Sequence, residues 1–280
     1  MNNGLTGLKN IIWAFAIVIA LAVVLIGLII TMVLGFGGQR QDGTLYLGES
    51  SGLSSGSKRP SDSLVDGGLE VGAGAMALPG SQDMGLEYLF NLTFLCDESF
   101  SAVSSFGANF GSTASAQVWL PAGGSLPAAG AASTKIIYPN DGTEKTPADA
   151  AGLYKPSRLV IYLGGDSLGN ADQASFIAGY SALVQSIQVA SPETRIICCS
   201  IGSITAAYAG VDGLTAERVT QANQWIQQVC ADTGVYYADL GAILNDTSGA
   251  LSAEYASVDG RTISSGGISK VMDYFRMHGI

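Results

Sequence analysis

Histidine is nearly missing from this chain: of 280 residues, one, His278, carries an imidazole. Chemistry that needs a base near neutral pH, or a set of histidine ligands, has a single position to draw on. Charge is scarce too, at 13% of residues, and 13 Lys and Arg are outnumbered by 23 Asp and Glu, for a formal net charge of −10. A nucleic-acid partner needs a basic face to meet its phosphates, so that class is excluded. No run of like charges occurs, and the acidity reads as a dispersed, solubilising surface. The four cysteines, Cys96, Cys198, Cys199 and Cys230, have no metal-ligand spacing. Adjacent Cys198 and Cys199 on a strand point to opposite faces, and all four read as small buried apolar side chains. Outside the cytoplasm a disulfide is open to them, with a pairing that the sequence does not choose. No internal repeat is present, no cofactor is expected, and the sequence sets no oligomeric state.

What the chain does have is one long apolar run, Ile11 to Leu34, 24 residues without a charge. As a helix it rises about 36 Å, enough to cross a bilayer core of about 30 Å with some tilt. A cleaved signal peptide has a shorter apolar core and a small-residue cleavage site. The run is apolar on every face, unlike a helix lying on a soluble core. It is expected to be an uncleaved transmembrane anchor, making the membrane a partner through Ile11–Leu34. Lys9 precedes the run, while Arg40 after it is soon offset by Asp42. The short head (1–10) and long tail favour a single-pass arrangement with the body on the extracytoplasmic side. Residues 35–83 are rich in Gly, Ser and Asp and read as a flexible linker. The folded domain is expected over 84–280.

Within that domain, apolar strand-like and helical patterns alternate. "LTFLCD" (92–97) ends in polar residues like a buried parallel strand. "TKIIYP" (134–139) reads as a short strand, and "TPADAAGLY" as a helix capped by Thr146 with Pro147 in its first turn. "RLVIYLGGDSLG" is a β-rich run closing on glycines. Phe176, Tyr180, Leu183, Val184 and Ile187 then recur at helical spacing. "RIICCSIGS" is another strand, "TAERVTQANQWIQQVCADTG" a helix ended by Gly234, "VYYADLGAIL" a strand and "SGGISKVMDYFRMHG" a last helix. The stretch 104–133 carries no assignable pattern. The alternation predicts an α/β three-layer sandwich, a central parallel sheet covered on both faces, preceded by the transmembrane helix. Ligands in such sheets bind beyond the carboxyl ends of the strands. Asp97 to Ser99, Gly164 to Ser167 and Asp259 to Thr262 are therefore expected to meet in one crevice.

"FLCDES", "QVWLPAGGSL", "IIYPNDGTEKTPADAA", "KPSRLVIYLGGDSLG", "FIAGYSALVQSIQVASPETRIICCSI" and the ending "ANQWIQQVCADTGVYYADLGAILNDTSGALSAEYASVDGRTIS" resemble, in order, the segments of an SGNH hydrolase (GDSL-like lipase/esterase superfamily), membrane-anchored bacterial type. The resemblance spans Met84 to His278 and implies a flavodoxin-like SGNH fold. It also implies an esterase chemistry of four parts. A serine attacks the ester, a histidine three residues after an aspartate takes its proton, and a glycine amide and an asparagine join the serine amide in holding the oxyanion. The serine hydroxyl is a weak nucleophile until a base removes its proton.

Carried over position by position, the chemistry is substituted. Glu98 stands at the serine, Asp166 at the asparagine and Thr262 at the histidine, while Asp259 keeps the aspartate and Gly111, in "FGANFGSTA", takes the glycine position. No esterase site is intact. Ser99 is the fallback nucleophile, lacking a base placed to activate it, and His278 at the end of the last helix reads as structural. The crevice set is thus Asp97, Glu98, Ser99, Gly111, Gly164, Asp166, Asp259 and Thr262. Several carboxylates together cannot all ionise without cost, so at least one pKa is expected to rise. They offer oxygen ligands to a hard cation (Glu98, Asp166, Asp259) or a carboxyl pair for glycosidic cleavage (Glu98, Asp259). The plain reading is that one acid caps a helix or pairs with Arg261 and the others are solvated. The resulting expectation is a catalytically inactive pseudo-hydrolase that binds a cell-envelope polysaccharide or acylated ligand. An esterase or deacetylase with a rearranged site, and a structural or partner-docking module, stand as alternatives.

Overall fold

The computed structural model describes residues 74–106, 117–165, 167–208 and 210–280. The chain divides into two units, Met1–Asp62 and Ser63–Ile280, and every described residue belongs to the second. The predicted anchor Ile11–Leu34, the head, most of the linker, Gly111 and Asp166 lie outside the described residues. Among the described residues no helix is long and apolar enough to cross a membrane.

The elements follow one another as β1 (Met76–Ala77), α1 (Gly85–Phe90), β2 (Leu92–Cys96), a 3-10 helix (Glu98–Ser105), β3 (Gln117–Trp119), a short 3-10 turn (Ala128–Gly130), β4 (Ile136–Ile137), β5 (Glu144–Lys145), α2 (Pro147–Tyr154), β6 (Arg158–Tyr162), α3 (Gln173–Ala190), β7 (Arg195–Cys199), a 3-10 turn (Val211–Gly213), α4 (Ala216–Thr233), β8 (Tyr236–Ala238), α5 (Gly241–Leu244) and α6 (Ser265–Arg276). Six strands form one sheet in the order β1-β8-β7-β6-β2-β3, with every pair parallel. Consecutive residues along the central strands feed opposite layers, which is why they are apolar throughout rather than alternating. Leu159 and Ile161 of β6 and Ile196 and Cys198 of β7 pack with Leu183, Val184, Ile187 and Val229 of α3 and α4. Val160, Tyr162, Ile197 and Cys199 pack on the other side with Leu89 of α1, Phe100, and Val271 and Phe275 of α6.

The helix ends obey local chemistry. The Thr146 hydroxyl accepts from the Asp149 amide at 3.2 Å, with proline in the first turn of α2. Asp172, Thr215 and Ser264 cap α3, α4 and α6 in the same way. Gly234, at φ 68°, closes α4 in the left-handed conformation that glycine adopts without a Cβ clash.

Four expectations change. β1 lies inside the span read as linker and pairs in parallel with β8, Met76 beside Tyr236, so the folded body starts before residue 84. Ile136–Ile137 is the short strand expected, but it pairs antiparallel with Glu144–Lys145 and bridges Leu120, the residue after β3, rather than lengthening the parallel sheet. The run 235–244 is not one strand: β8 stops at Ala238 and Gly241–Leu244 turns helical. The unassigned stretch 104–133 supplies edge strand β3.

Gly179 of α3 packs directly on the 3-10 turn Ala128–Gly130. A Cβ there would lie 2.5 Å from the Ala129 Cα, inside the backbone of the 3-10 turn against α3. Gly179→Val is expected to lower the unfolding free energy by about 2 kcal/mol or more, because overpacking against backbone cannot relax by a rotamer change. Urea denaturation of the variant against the parent measures it.

Candidate active site

The sheet's carboxyl edge is built around Asp97, the first residue after β2 and fully buried. Its Oδ1 accepts from the Ser99 amide at 2.9 Å and the Ser99 hydroxyl at 2.5 Å. Its Oδ2 accepts from the amides of Gly164 and Gly165 at 2.8 and 2.9 Å. One carboxyl group thus caps the 3-10 helix and binds the loop leaving β6. Placing it in the interior is affordable because each oxygen has donors.

Ser99 is buried beneath this arrangement, at 1% exposure. A Cβ at Gly165 would sit 2.5 Å from its hydroxyl oxygen, so Gly165 closes over it. The ring of Phe100 next to it stacks on Tyr162 at 4.4 Å, and burial pushes the Tyr162 phenol up, with the Asp97 charge adding to the shift. The Ser99 hydroxyl is therefore a buried donor facing a carboxyl group, with Gly165 packed over it.

Glu98 points the other way, its side chain about half exposed at 52%. Its Oε1 accepts from the Arg261 guanidinium at 2.9 Å. Its backbone amide donates to the Gly124 carbonyl at 2.8 Å. Gly124, at φ 77°, ends a turn in which its own amide bonds the Pro121 carbonyl at 2.9 Å; a Cβ there would reach within 2.8 Å of Glu98 Oε2. Residue 124 must therefore be glycine for the turn to lie against Glu98 in this way. Gly124 was not among the residues singled out from the sequence; its signal was the glycine pair in "PAGG".

The third stretch is held by its own aspartate. Asp259 Oδ1 accepts from the Arg261 and Thr262 amides at 3.1 and 2.9 Å, and Oδ2 from the Thr262 hydroxyl at 2.6 Å. Burial pushes the Asp259 carboxyl up, but the Thr262 hydroxyl, the two amides and the Arg261 charge outweigh it and leave the group below its ordinary range. The expected rise in pKa is thus reversed at Asp259, because its loop supplies donors instead of a second carboxylate. The loop is fixed further by Thr205 N to Gly260 O at 2.9 Å and Ile263 N to Ser99 O at 2.9 Å.

The structure brings Asp97, Ser99 and Gly164 into one cluster, joins Glu98 to Arg261, and ties Asp259 to Thr262. Beside them a crevice of about 260 Å³ is lined by Ser167, Asn170, Tyr208, Asp212 and Arg261, among others. Asp212 holds a left-handed backbone, φ 52°, rare for a residue with a side chain, and Gly169 packs directly on its carbonyl. Neither Tyr208 nor Asp212 carried a signal in the sequence. His278 is elsewhere, beyond the far end of α6, a helix about 18 Å long. There its Nδ1 lies 2.8 Å from the Tyr274 carbonyl and its ring stacks on Tyr274 at 4.0 Å.

Chemically, the tip after β2 carries a carboxylate paired with Arg261 and an amide already bonded to the Gly124 carbonyl, and His278 lies beyond the far end of α6. Glycosidic cleavage needs one carboxyl to donate a proton, whereas Glu98 and Asp259 both act as acceptors. Among the described residues no three His, Cys, Asp or Glu side chains gather to hold a metal ion. A cation on Glu98 and Asp259 would have to displace Arg261 and the Thr262 donors.

A family model described as GDSL-like Lipase/Acylhydrolase family matches residues 105–260, more than half of the chain. No curated protein matches it in sequence. Solved structures similar to it include the periplasmic domain of a lipopolysaccharide acetyltransferase from Salmonella ser. Paratyphi A (14% identity, 66% of this chain and 82% of that one, TM-score 0.47). A GDSL-like lipase from Bacteroides thetaiotaomicron is 10% identical over 69% of this chain and 90% of its own, with a TM-score of 0.46. A carbohydrate esterase family 3 protein from Talaromyces cellulolyticus is 15% identical over 66% and 93%, with a TM-score of 0.42. At such identities and scores these likenesses carry no argument about activity.

Asp97→Ala leaves buried amides and a hydroxyl without their acceptor and is expected to cost about 3 kcal/mol or more in urea unfolding. Thr262→Val removes a donor and is expected to raise the Asp259 pKa in an NMR titration of the carboxyl carbon. A folded pKa below the unfolded one contributes stability above the ordinary carboxylate range, and this is lost as pH falls through the folded value. The valine variant should therefore lose less stability than the parent on acidification over that interval.

Proposed function

The chain belongs to the GDSL-like lipase/acylhydrolase family, and within that family we propose a catalytically silent, membrane-tethered member whose extracytoplasmic body binds an envelope glycan or acylated ligand without cleaving it. The observation that carries this reading is the state of Glu98. Its carboxylate is paired with Arg261 at 2.9 Å and its amide is given to the Gly124 carbonyl at 2.8 Å. An acyl-transfer site needs an alcohol or thiol at that tip, a base beside it and a free amide for the oxyanion. The family match itself covers residues 105–260, which leaves out both Glu98 and Thr262.

Binding draws support from the neighbouring crevice. Asp212 and Asn170 offer acceptors, Arg261 offers donors in a fixed plane, and Tyr208 contributes an aromatic body. Such a mix suits the adjacent hydroxyls and apolar face of a sugar unit, and a volume of about 260 Å³ limits it to a small group of this kind. Tethering rests on the charge-free run Ile11–Leu34 and the Gly/Ser-rich segment after it.

Two measurements on the full-length chain in detergent test the reading. With p-nitrophenyl acetate, no turnover above buffer is expected; turnover abolished by Ser99→Ala would establish the rearranged esterase instead. On an immobilised envelope polysaccharide, retention without hydrolysis is expected, weakened roughly tenfold by Asp212→Ala through loss of one hydrogen-bonding group. Absence of both turnover and retention would leave the docking-module reading.

A further inference from the structure

The crevice has a larger neighbour on the α3–α4 surface, a groove of about 560 Å³. Gln173 and Ile177 of α3 line it, with Arg218, Gln221, Gln224 and Trp225 of α4 among others. Arg218, Gln221 and Trp225 stand three and four residues apart and so share one face of α4.

The lining is amide-rich and nearly neutral. A glutamine side chain offers a carbonyl oxygen and two N–H donors, which match hydroxyl and acetamido groups that also give and take hydrogen bonds. Gln173, Gln221 and Gln224 are exposed, and Ile177 is half-buried. Trp225 packs on Phe176 at 5.4 Å and, with Ile177, supplies the apolar part of the lining. Further along α4, Gln228 gives its amide to Asp232 at 2.8 Å. Among the described residues that line the groove none is a carboxylate. Its one cation, Arg218, is already engaged: Nε donates to the Leu168 carbonyl at 3.3 Å and a terminal nitrogen to the Ala171 carbonyl. The guanidinium also lies 5.0 Å over the Trp225 ring. Such a surface suits a neutral, hydroxyl-bearing ligand better than an ion.

Arg218 joins the groove to the crevice. Leu168 and Asn170 line the crevice, and the loop that carries them is the one Arg218 holds at Leu168 and Ala171. Asn170 of the crevice and Gln173 of the groove are three residues apart, so their Cα atoms are separated by about 11 Å at most. Both α3 and α4 begin at the sheet's carboxyl edge, each following a parallel strand, and the groove leads from that edge along the two helices. The crevice, at about 260 Å³, takes one small group, and the groove holds about twice that volume.

We propose that the crevice and the groove are consecutive subsites for one neutral glycan chain, with one unit in the crevice and the next units along the glutamines. This rests on the crevice being a glycan site and adds the form of the ligand: a polymer, held over several units, instead of a single sugar or acyl group. Arg218 is a positioning residue in this arrangement, because it fixes the loop shared by both subsites.

The experiment titrates the full-length chain in detergent with N-acetylglucosamine and with its linear tetramer, by calorimetry. The tetramer is expected to bind roughly tenfold tighter, through the added hydrogen bonds of the groove. A double variant, Gln221→Ala with Gln224→Ala, should remove most of that gain and leave the monomer's affinity unchanged. Alanine is at least as good a helix former as glutamine, so α4 is retained. Any statistical advantage of a longer chain survives in the double variant and is not mistaken for the subsite. Asp212→Ala should weaken both ligands. A tetramer bound no tighter than the monomer, or a gain that the double variant keeps, would overturn the groove and leave the crevice standing. Binding of neither sugar would overturn the proposal together with the glycan reading of the crevice.

Discussion

The carboxyl group of Asp97 is the constraint on which the sheet's functional edge depends. It is fully buried, and it gathers the Ser99 amide and hydroxyl together with the amides of Gly164 and Gly165. Those donors come from two chain segments far apart in sequence, so their convergence fixes the end of β2 against the end of β6. A buried acceptor satisfied on both oxygens resists rearrangement, since moving either segment strands a donor away from water. The direction of Glu98, the enclosure of Ser99 and the path of the loop after β6 all follow from that attachment.

A second layer of contacts holds the tip. Glu98 meets Gly124 through its amide and Arg261 through its carboxylate, so the turn after β3 and the loop before α6 close on the same residue. Asp259 holds the latter loop by accepting from the Arg261 and Thr262 amides and the Thr262 hydroxyl, which keep its carboxyl below the ordinary range. The crevice beside it keeps a polar wall in which Arg261 serves both the ion pair and the cavity.

Much of the fold was readable from local chemistry. The caps at Thr146 and Gly234, the helical spacing of Phe176, Tyr180, Leu183, Val184 and Ile187, and the continuous apolar strands each rest on residues within a few positions of one another. What escaped was non-local or very short. β1 is two residues whose partner lies at Tyr236, so nothing near Met76 announces a strand. The hairpin of Ile136 carries the same apolar pair that a sheet strand would. At the site, the pairing of an acid with Arg261 was among the readings of the sequence, whereas the Gly124 contact and the Asp212 backbone depend on a turn and a close approach that no short window contains.

Glu98 also separates two roles that one turn usually combines. Its neighbour Asp97 anchors the fold through buried oxygens, while the Glu98 side chain leaves the protein body and stands half in solvent. Side-chain identity at the tip is therefore nearly independent of the anchoring beneath it. For a protein engineer, this makes residue 98 a socket: another side chain can be installed there without disturbing the Asp97 anchor, with only the ion pair to Arg261 given up.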